Sequence, residues 1–310
     1  MNPDLWNSDG LWEKARVAVG RAQEDEFDGG DRGLWYVLAL EYLARATLAN
    51  VHPVLLADPQ EGKNILYAFG VLTEKPKSVP AKTVFMRCQS LVTDFTEEDF
   101  KLSLALAELR NEELHSAGLP FEAYPLRVWQ ADFYRIALKL CNSLGHGLVE
   151  LFGAEEAAAA ELMLERRAAD VLHEVQEAIS ASRRAFMTLT AEEQEVRRGI
   201  AAVARRVPRR APTTDVACPA CGSRAQLRGE GTREMPPAFD EETSEVLVRT
   251  IAVPVGLECP ACGLALEGHA RLSAAEMGGE FVVESRYSPV DYFGIEIDPE
   301  EYFEEDYGND

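Results

Sequence analysis

Between Leu34 and Val51 apolar residues recur at every third or fourth position: Leu34, Val37, Leu38, Leu40, Leu43, Ala44, Leu48 and Val51. That spacing lines one side of an α-helix with a stripe wide enough for the core of a bundle. Glu41, Tyr42 and Arg45 give the helix a polar side, and Pro53 ends or kinks it. A shorter amphipathic segment, Leu11 to Ala22, comes first, followed by an acidic, glycine-rich stretch from Glu24 to Gly33. After a short apolar piece, Ile65 to Leu72, and a Lys/Pro loop, Glu74 to Pro80, a second long helical region runs from Ala81 to His115. It breaks near Thr93-Asp94-Phe95-Thr96, and Thr96-Glu97-Glu98-Asp99 reads as the capping signal of its second half. Gly118 and Pro120 stop it.

Residues 121–152 predict another helix, with Val128, Phe133, Ile136, Leu138, Leu140, Leu144, Leu148 and Leu151 on its apolar side. His146 lies between glycines near its end and reads as a loop or core histidine. Residues 154–206 are rich in Ala, Glu and Arg and predict two helices, split near Thr188-Leu189-Thr190, with Thr190-Ala191-Glu192-Glu193 as a capping box. The pattern then changes. Residues 208–215 have the composition of a linker, and beyond them strand-like runs appear at Ala225–Leu227 and Val246–Val255. The pattern divides the chain into an N-terminal segment and linker (1–32), a helical bundle (33–153), a long helical extension (154–207), a linker (208–215), a small β-rich domain (216–286) and an acidic tail (287–310).

At 310 residues and 46% hydrophobic, the chain can hold two or three domains with real cores. No apolar run approaches the ~20 residues of a membrane span, and Met1 to Gly10 is polar and acidic, without a basic start or an apolar signal region. A soluble, cytoplasmic protein with no membrane partner is expected. The net charge of −22 argues against coating of duplex DNA, which needs many Lys and Arg contacts. The acids gather in the tail from Tyr287 to Asp310, which has no Lys or Arg. That tail is either solvating or docks on a basic surface.

Three groups of residues carry candidate chemistry. The first is Arg110, Asn111 and His115, where the apolar run Phe100–Leu109 meets the Ser-Ala-Gly-Leu-Pro break. Asn111 and His115 are four apart and share a helix face. Arg110 is long enough to swing to the same spot, and a cation, an amide and an imidazole can together hold a phosphodiester and move its protons. The same arginine-to-histidine spacing joins Arg45 to His52, and Arg166 or Arg167 to His173, so spacing alone selects nothing. Only Arg110 is followed by an amide and sits at a helix break. The alternative is that Arg110 and His115 simply complement the helix dipole.

The second group is eight arginines within residues 183–210: Arg183, Arg184, Arg197, Arg198, Arg205, Arg206, Arg209 and Arg210. They are either a solvated face or a patch for RNA phosphates. The third is the pair Cys218-Pro219-Ala220-Cys221-Gly222 and Cys259-Pro260-Ala261-Cys262-Gly263. Each is a tight turn that aims two thiolates at one metal. Four thiolates satisfy tetrahedral Zn²⁺ with no open position, so one structural Zn²⁺ per chain is expected. Neither pair has the βαβ context of a redox motif. His269 is near the second pair, but four cysteines already fill the shell. Cys88 and Cys141, in helical and partly apolar contexts, read as buried thiols.

The helix pattern of roughly residues 30–155, with Leu109-Arg110-Asn111 and His115 followed by Ser-Ala-Gly, resembles the HEPN superfamily, and the Cys-Pro-x-Cys-Gly module resembles an appended zinc ribbon. The resemblance implies a mainly α fold: a HEPN-like helical bundle with long additional helices, then a small β-rich zinc ribbon and an acidic tail. It implies a metal-independent endoribonuclease, commonly a homodimer with two motifs facing one cleft, cleaving RNA by attack of the ribose 2′-OH. His115 would act as general base or acid, Arg110 would bind the scissile phosphate, and Asn111 would orient either. Such proteins occur as toxins, antiviral-defence effectors and RNA-processing enzymes, and an inhibitory or antitoxin partner fits that setting. Members that lack the motif only bind or scaffold. The alternative here is therefore a non-catalytic module for a nucleotide, RNA or protein, with the zinc ribbon as a structural or contact surface.

Overall fold

The computed structural model describes residues 5–24, 29–71, 74–203 and 211–294, and the chain forms two compact units, Met1–Asp170 and Val171–Asp310. Arg205, Arg206, Arg209, Arg210, the middle of the acidic glycine-rich stretch and the acidic tail beyond Gly294 lie outside the described residues. The molecule is mainly helical, with an antiparallel sheet region toward its C-terminus. Among the described residues, no helix is long and apolar enough to cross a membrane.

The first unit contains α1 (Ser8–Ala22), α2 (Gly29–Val51), a 3-10 turn (Pro53–Leu56), α3 (Gly62–Ala68), α4 (Ala81–Leu91), α5 (Glu97–His115), α6 (Pro120–Ala123), α7 (Leu126–Ser143), α8 (Leu148–Phe152) and the start of α9 (Ala154–Met187). The apolar stripe of α2 is its axis: Tyr36, Val37, Leu40, Leu43 and Leu48 are all buried, and α2 packs on α1, α4, α5, α6 and α7. Phe133 of α7 meets Tyr36, Phe152 and the neighbouring Trp129, and Tyr134 meets Phe152, in edge and tilted ring contacts. At Gly33 a Cβ would lie 2.9 Å from the Phe121 ring, so only glycine lets α2 approach α6 so closely.

Residues 121–152 form three helices rather than the single helix their apolar pattern predicts. Pro125 stands in extended backbone between α6 and α7. Gly145, at φ 77°, turns the chain between α7 and α8. The cap of α5 is the expected one: the Thr96 side chain accepts from Asp99 N, and Asp99 accepts from Thr96 N at 2.8 Å. Asp99 is fully buried, and its carboxylate also pairs with Arg135 and Lys139 of α7. One acid therefore caps α5 and ties it to α7.

The second unit contains the later part of α9, α10 (Ala191–Val203), β1 (Thr213–Ala217), β2 (Arg224–Glu234), β3 (Ala238–Asp240), β4 (Glu245–Glu258), β5 (Ala265–Glu267), α11 (His269–Ala274), β6 (Phe281–Tyr287) and α12 (Pro289–Phe293). β4 is the central strand. It pairs antiparallel with β2 (Gln226↔Glu258 to Glu234↔Thr250), with β3 near its start, with β5 near its end (Leu257↔Leu266), and with β6 (Val246↔Tyr287 to Ala252↔Phe281).

The division between the two compact units falls inside α9. Val175 and Phe186 of α9 are buried in the same cluster as Leu227, Leu257 and Leu266 of the sheet, with Val171, Ala178 and Ile179 packed against it. An apolar stripe on a helix does not reveal which core it serves. The 208–215 stretch also carries the first strand residues, with Thr213 paired to Arg228.

Candidate functional site

Along α5 the buried positions are Asp99, Ser103, Leu106 and Ala107, the repeat of a helix facing a core. Arg110 is the next step on that stripe. Its side chain therefore runs inward, with 18% of its surface exposed, and its Nη2 donates to Oε2 of Glu41 on α2. The other oxygen of Glu41 accepts from Arg45 Nε and Nη2 at 3.0 and 2.8 Å. Arg45 also donates to the Val79 carbonyl at 3.1 Å. One carboxylate thus holds two guanidiniums between α2 and α5. Arg110 Nε is buried without a partner among the described residues.

Asn111 and His115 are exposed, share a helix face, and make no side-chain hydrogen bond among the described residues. The structure thus places Asn111 and His115 together and joins Arg110 to Glu41 rather than to either of them. Successive α-helical residues turn by about 100°, so His115, five positions on, projects well away from the Arg110 direction. Leu114, beside them, is 51% exposed. Glu41 is the functional candidate that the motif omits. Its signal is that Glu41 and Arg45 are the only charged residues between Leu34 and Val51, four apart in an apolar run.

The four cysteines converge. Cys218, Cys221, Cys259 and Cys262 place their sulfurs within 4.8 Å of one another, with Cys218–Cys262 at 3.5 Å and Cys221–Cys259 at 3.6 Å. A tetrahedron of Zn–S bonds near 2.3 Å has edges of about 3.8 Å. The two knuckles repeat one geometry. Cys218 N donates to Ser223 O and Gly222 N to Cys218 O, both at 2.9 Å. Cys259 N donates to Leu264 O and Gly263 N to Cys259 O, also at 2.9 Å. Gly222 and Gly263 have φ of 72° and 76°, the left-handed conformation that glycine adopts without strain. Each knuckle joins two strands, β1 to β2 and β4 to β5. The hydrogen bond from the Cys259 thiol pushes Cys218 down to about 5, aided by the backbone N–H groups of Cys221 and Ala220. Cys259 is pushed up because its proton is held in that bond. Four sulfurs at tetrahedral spacing suit a thiophilic cation and leave no open position for water or substrate. A metal ion can be held here.

Two arginines of α9 and α10, Arg183 and Arg197, contact the knuckle carbonyls. Arg183 Nε donates to Ala220 O at 3.1 Å and its Nη2 to Pro219 O at 2.9 Å. Arg197 Nη1 reaches Ala261 O at 3.5 Å. Arg198 lies over the Phe186 ring, 5.5 Å from its centroid. Arg184 is exposed and makes no side-chain hydrogen bond among the described residues. A shallow cleft of about 320 Å³ is lined by Arg198, Ala202, Cys221, Gly222, Ser223 and Arg224, but Arg224 is already paired with Asp215 at 3.0 Å. His269 stands outside the sulfur shell, hydrogen-bonded to Pro254 O at 3.1 Å.

The remaining thiols are inert by burial, which pushes both Cys88 and Cys141 up, Cys141 to about 12. His146 stacks on Trp12 with ring centroids 4.2 Å apart. Comparison of the chain with protein-family models, with curated proteins and with solved structures gave no match.

Proposed function

We propose that this chain is a metal-independent endoribonuclease of the HEPN kind, with Arg110, Asn111 and His115 as its reacting groups, and that its four cysteines hold one structural Zn²⁺. The observation that carries the ribonuclease reading is the end of α5. An exposed imidazole and an exposed amide share one helix face, neither makes a side-chain hydrogen bond among the described residues, and Arg110, adjacent to Asn111 in sequence, is turned inward onto Glu41. Exposed side chains with no packing role are free to meet a substrate.

In this reading the ribose 2′-oxygen bonds to the adjacent phosphorus as the P–O5′ bond breaks. The products are a 2′,3′-cyclic phosphate and a 5′-hydroxyl. An imidazole takes the 2′-OH proton and an imidazolium returns one to O5′. Arg110 offsets the charge that grows on the phosphoryl oxygens, and Asn111 orients the phosphate or the imidazole. A single His115 supplies one of the two proton transfers. A homodimer supplies both, which favours two copies acting on one RNA strand. DNA lacks the nucleophile and stays intact. A toxin or antiviral-defence role, with an inhibitory partner holding the activity in check, fits such chemistry.

The zinc reading rests on the closed tetrathiolate geometry. Zn²⁺ there supplies folding energy and a fixed junction of two hairpins, and takes no part in RNA cleavage. A second reading is favoured by the ion pair that already occupies Arg110: a non-catalytic module that binds a nucleotide, RNA or protein, with Arg110 as a structural group. Cleavage assays on labelled RNA with the wild type, Arg110→Ala, Asn111→Ala and His115→Ala separate the two. The nuclease reading expects turnover in the wild type and loss in His115→Ala. Saturable binding without turnover, unchanged in His115→Ala, establishes the module instead.

A further inference from the structure

We infer that Arg183 and Arg197 are working parts of the metal centre, each passing its positive charge through a knuckle peptide group to a ligand sulfur, so that metal retention depends on α9 and α10. This rests on the reading of the four cysteines as a metal site. The connection follows from which atoms share a peptide. Arg183 Nη2 donates to Pro219 O, and the N–H of that same peptide, Ala220 N, lies 3.4 Å from Cys218 Sγ. Arg183 Nε donates to Ala220 O at 3.1 Å, and the N–H of that peptide belongs to the ligand Cys221. The second knuckle repeats the arrangement more weakly. Arg197 Nη1 reaches Ala261 O at 3.5 Å, the carbonyl of the peptide that leads into the ligand Cys262.

A donor on a carbonyl polarises its peptide and strengthens what the N–H on the other side gives. Two successive carbonyls drawn outward by one guanidinium also fix the turn that sets the Cys218–Cys221 spacing. Four thiolates around Zn²⁺ carry a net charge of −2, and the two guanidiniums offset it from outside the ligand shell. Groups in this position hold ligands in orientation and tune metal affinity, commonly by ~10- to 100-fold. The two-pronged contact also selects arginine over lysine, whose single ammonium cannot meet both carbonyls in one plane.

The test uses the full-length chain loaded with Co²⁺. The wild type should bind one Co²⁺ with the intense thiolate-to-cobalt charge-transfer absorption of a four-sulfur site. EDTA should then strip the metal about 10-fold faster from Arg183→Ala, with a shifted charge-transfer band. Arg183→Lys should fall in between, and Arg197→Ala should show a smaller change, in line with its longer contact. Arg184→Ala, one residue away without a carbonyl contact, should match the wild type. Helix content measured alongside confirms that the variants are folded. A wild-type band and release rate in folded Arg183→Ala and Arg183→Lys would overturn the inference while leaving the metal site standing. A wild type that takes up no Co²⁺ overturns the metal reading, and this inference with it.

Discussion

The cysteine centre and the end of α5 are built to different degrees of completion within one chain. At the centre all four ligand atoms meet, the turns that aim them are closed by their own backbone bonds, and arginines brace the loops from outside. At α5 the chain delivers an amide and an imidazole to solvent and ties the neighbouring guanidinium to Glu41. The first is finished in a single copy of the chain. Under the proposed ribonuclease reading, the second needs an RNA phosphate or a second copy before its groups act together. A structural site must be satisfied when the fold forms, whereas a site for catalysis keeps groups unsatisfied until its substrate arrives.

The sharpest contrast is in metal removal. Structural zinc sites commonly hold their metal with about 10–16 kcal/mol of apparent binding free energy that is also folding free energy. Chelation, or Cys259→Ser, should therefore unfold the β1–β2 and β4–β5 hairpins while the α2-centred bundle keeps its melting transition. Amide hydrogen exchange measures both. Undiminished protection of Leu227 and Leu257 without metal would remove the structural role.

Next comes His115→Ala. Loss of a general acid or base costs roughly 10²- to 10⁴-fold in rate, yet an exposed surface residue changes stability by no more than about 0.5 kcal/mol. Cleavage should collapse while denaturant unfolding stays put. A large stability loss would instead mark His115 as part of the fold.

Glu41 should show the opposite balance. Removing one partner of a buried ion pair costs about 3–5 kcal/mol, and Glu41→Ala strips both Arg45 and Arg110. Arg110→Ala should cost less, about 1–3 kcal/mol, because Glu41 keeps Arg45. Urea unfolding of both variants gives the ranking. Equal losses would mean that Arg110 carries the interaction alone.

The smallest effect concerns the thiols. In the folded, metal-loaded chain Cys88 and Cys141 should resist alkylation at pH 8, since burial holds both as neutral thiols. Metal removal should expose only Cys218, Cys221, Cys259 and Cys262 to the reagent. Peptide mapping that finds Cys88 modified in the native protein would contradict its burial.

The sequence discloses features whose partners are close along the chain. The capping residues Thr96 and Asp99, the break at Thr188-Leu189-Thr190, and each Cys-Pro-Ala-Cys-Gly turn are local, and the structure contains them. Two turns far apart can be matched because one metal requires four thiolates. Features whose partners are distant stay hidden. Nothing near Arg110 points to Glu41 on α2, and nothing near Arg183 points to the carbonyls of Pro219 and Ala220. β6 has only a weak alternation, Phe281, Val283 and Ser285 half-buried against exposed neighbours, and becomes a strand because β4 offers it an edge. α9 shows a periodic stripe, but the pattern does not say that Val175 and Phe186 serve a different core from Ala157 and Ala160.

The central claim is that His115 moves a proton during cleavage of a ribose-phosphate linkage. The direct measurement is to incubate the full-length, metal-loaded chain and its folded His115→Ala variant with a labelled RNA, and with the same RNA carrying 2′-deoxy sugars. The account predicts fragments ending in 2′,3′-cyclic phosphate from the wild type on RNA alone, and none from the variant. Cleavage by His115→Ala at the wild-type rate, or cleavage of the 2′-deoxy strand, would contradict it.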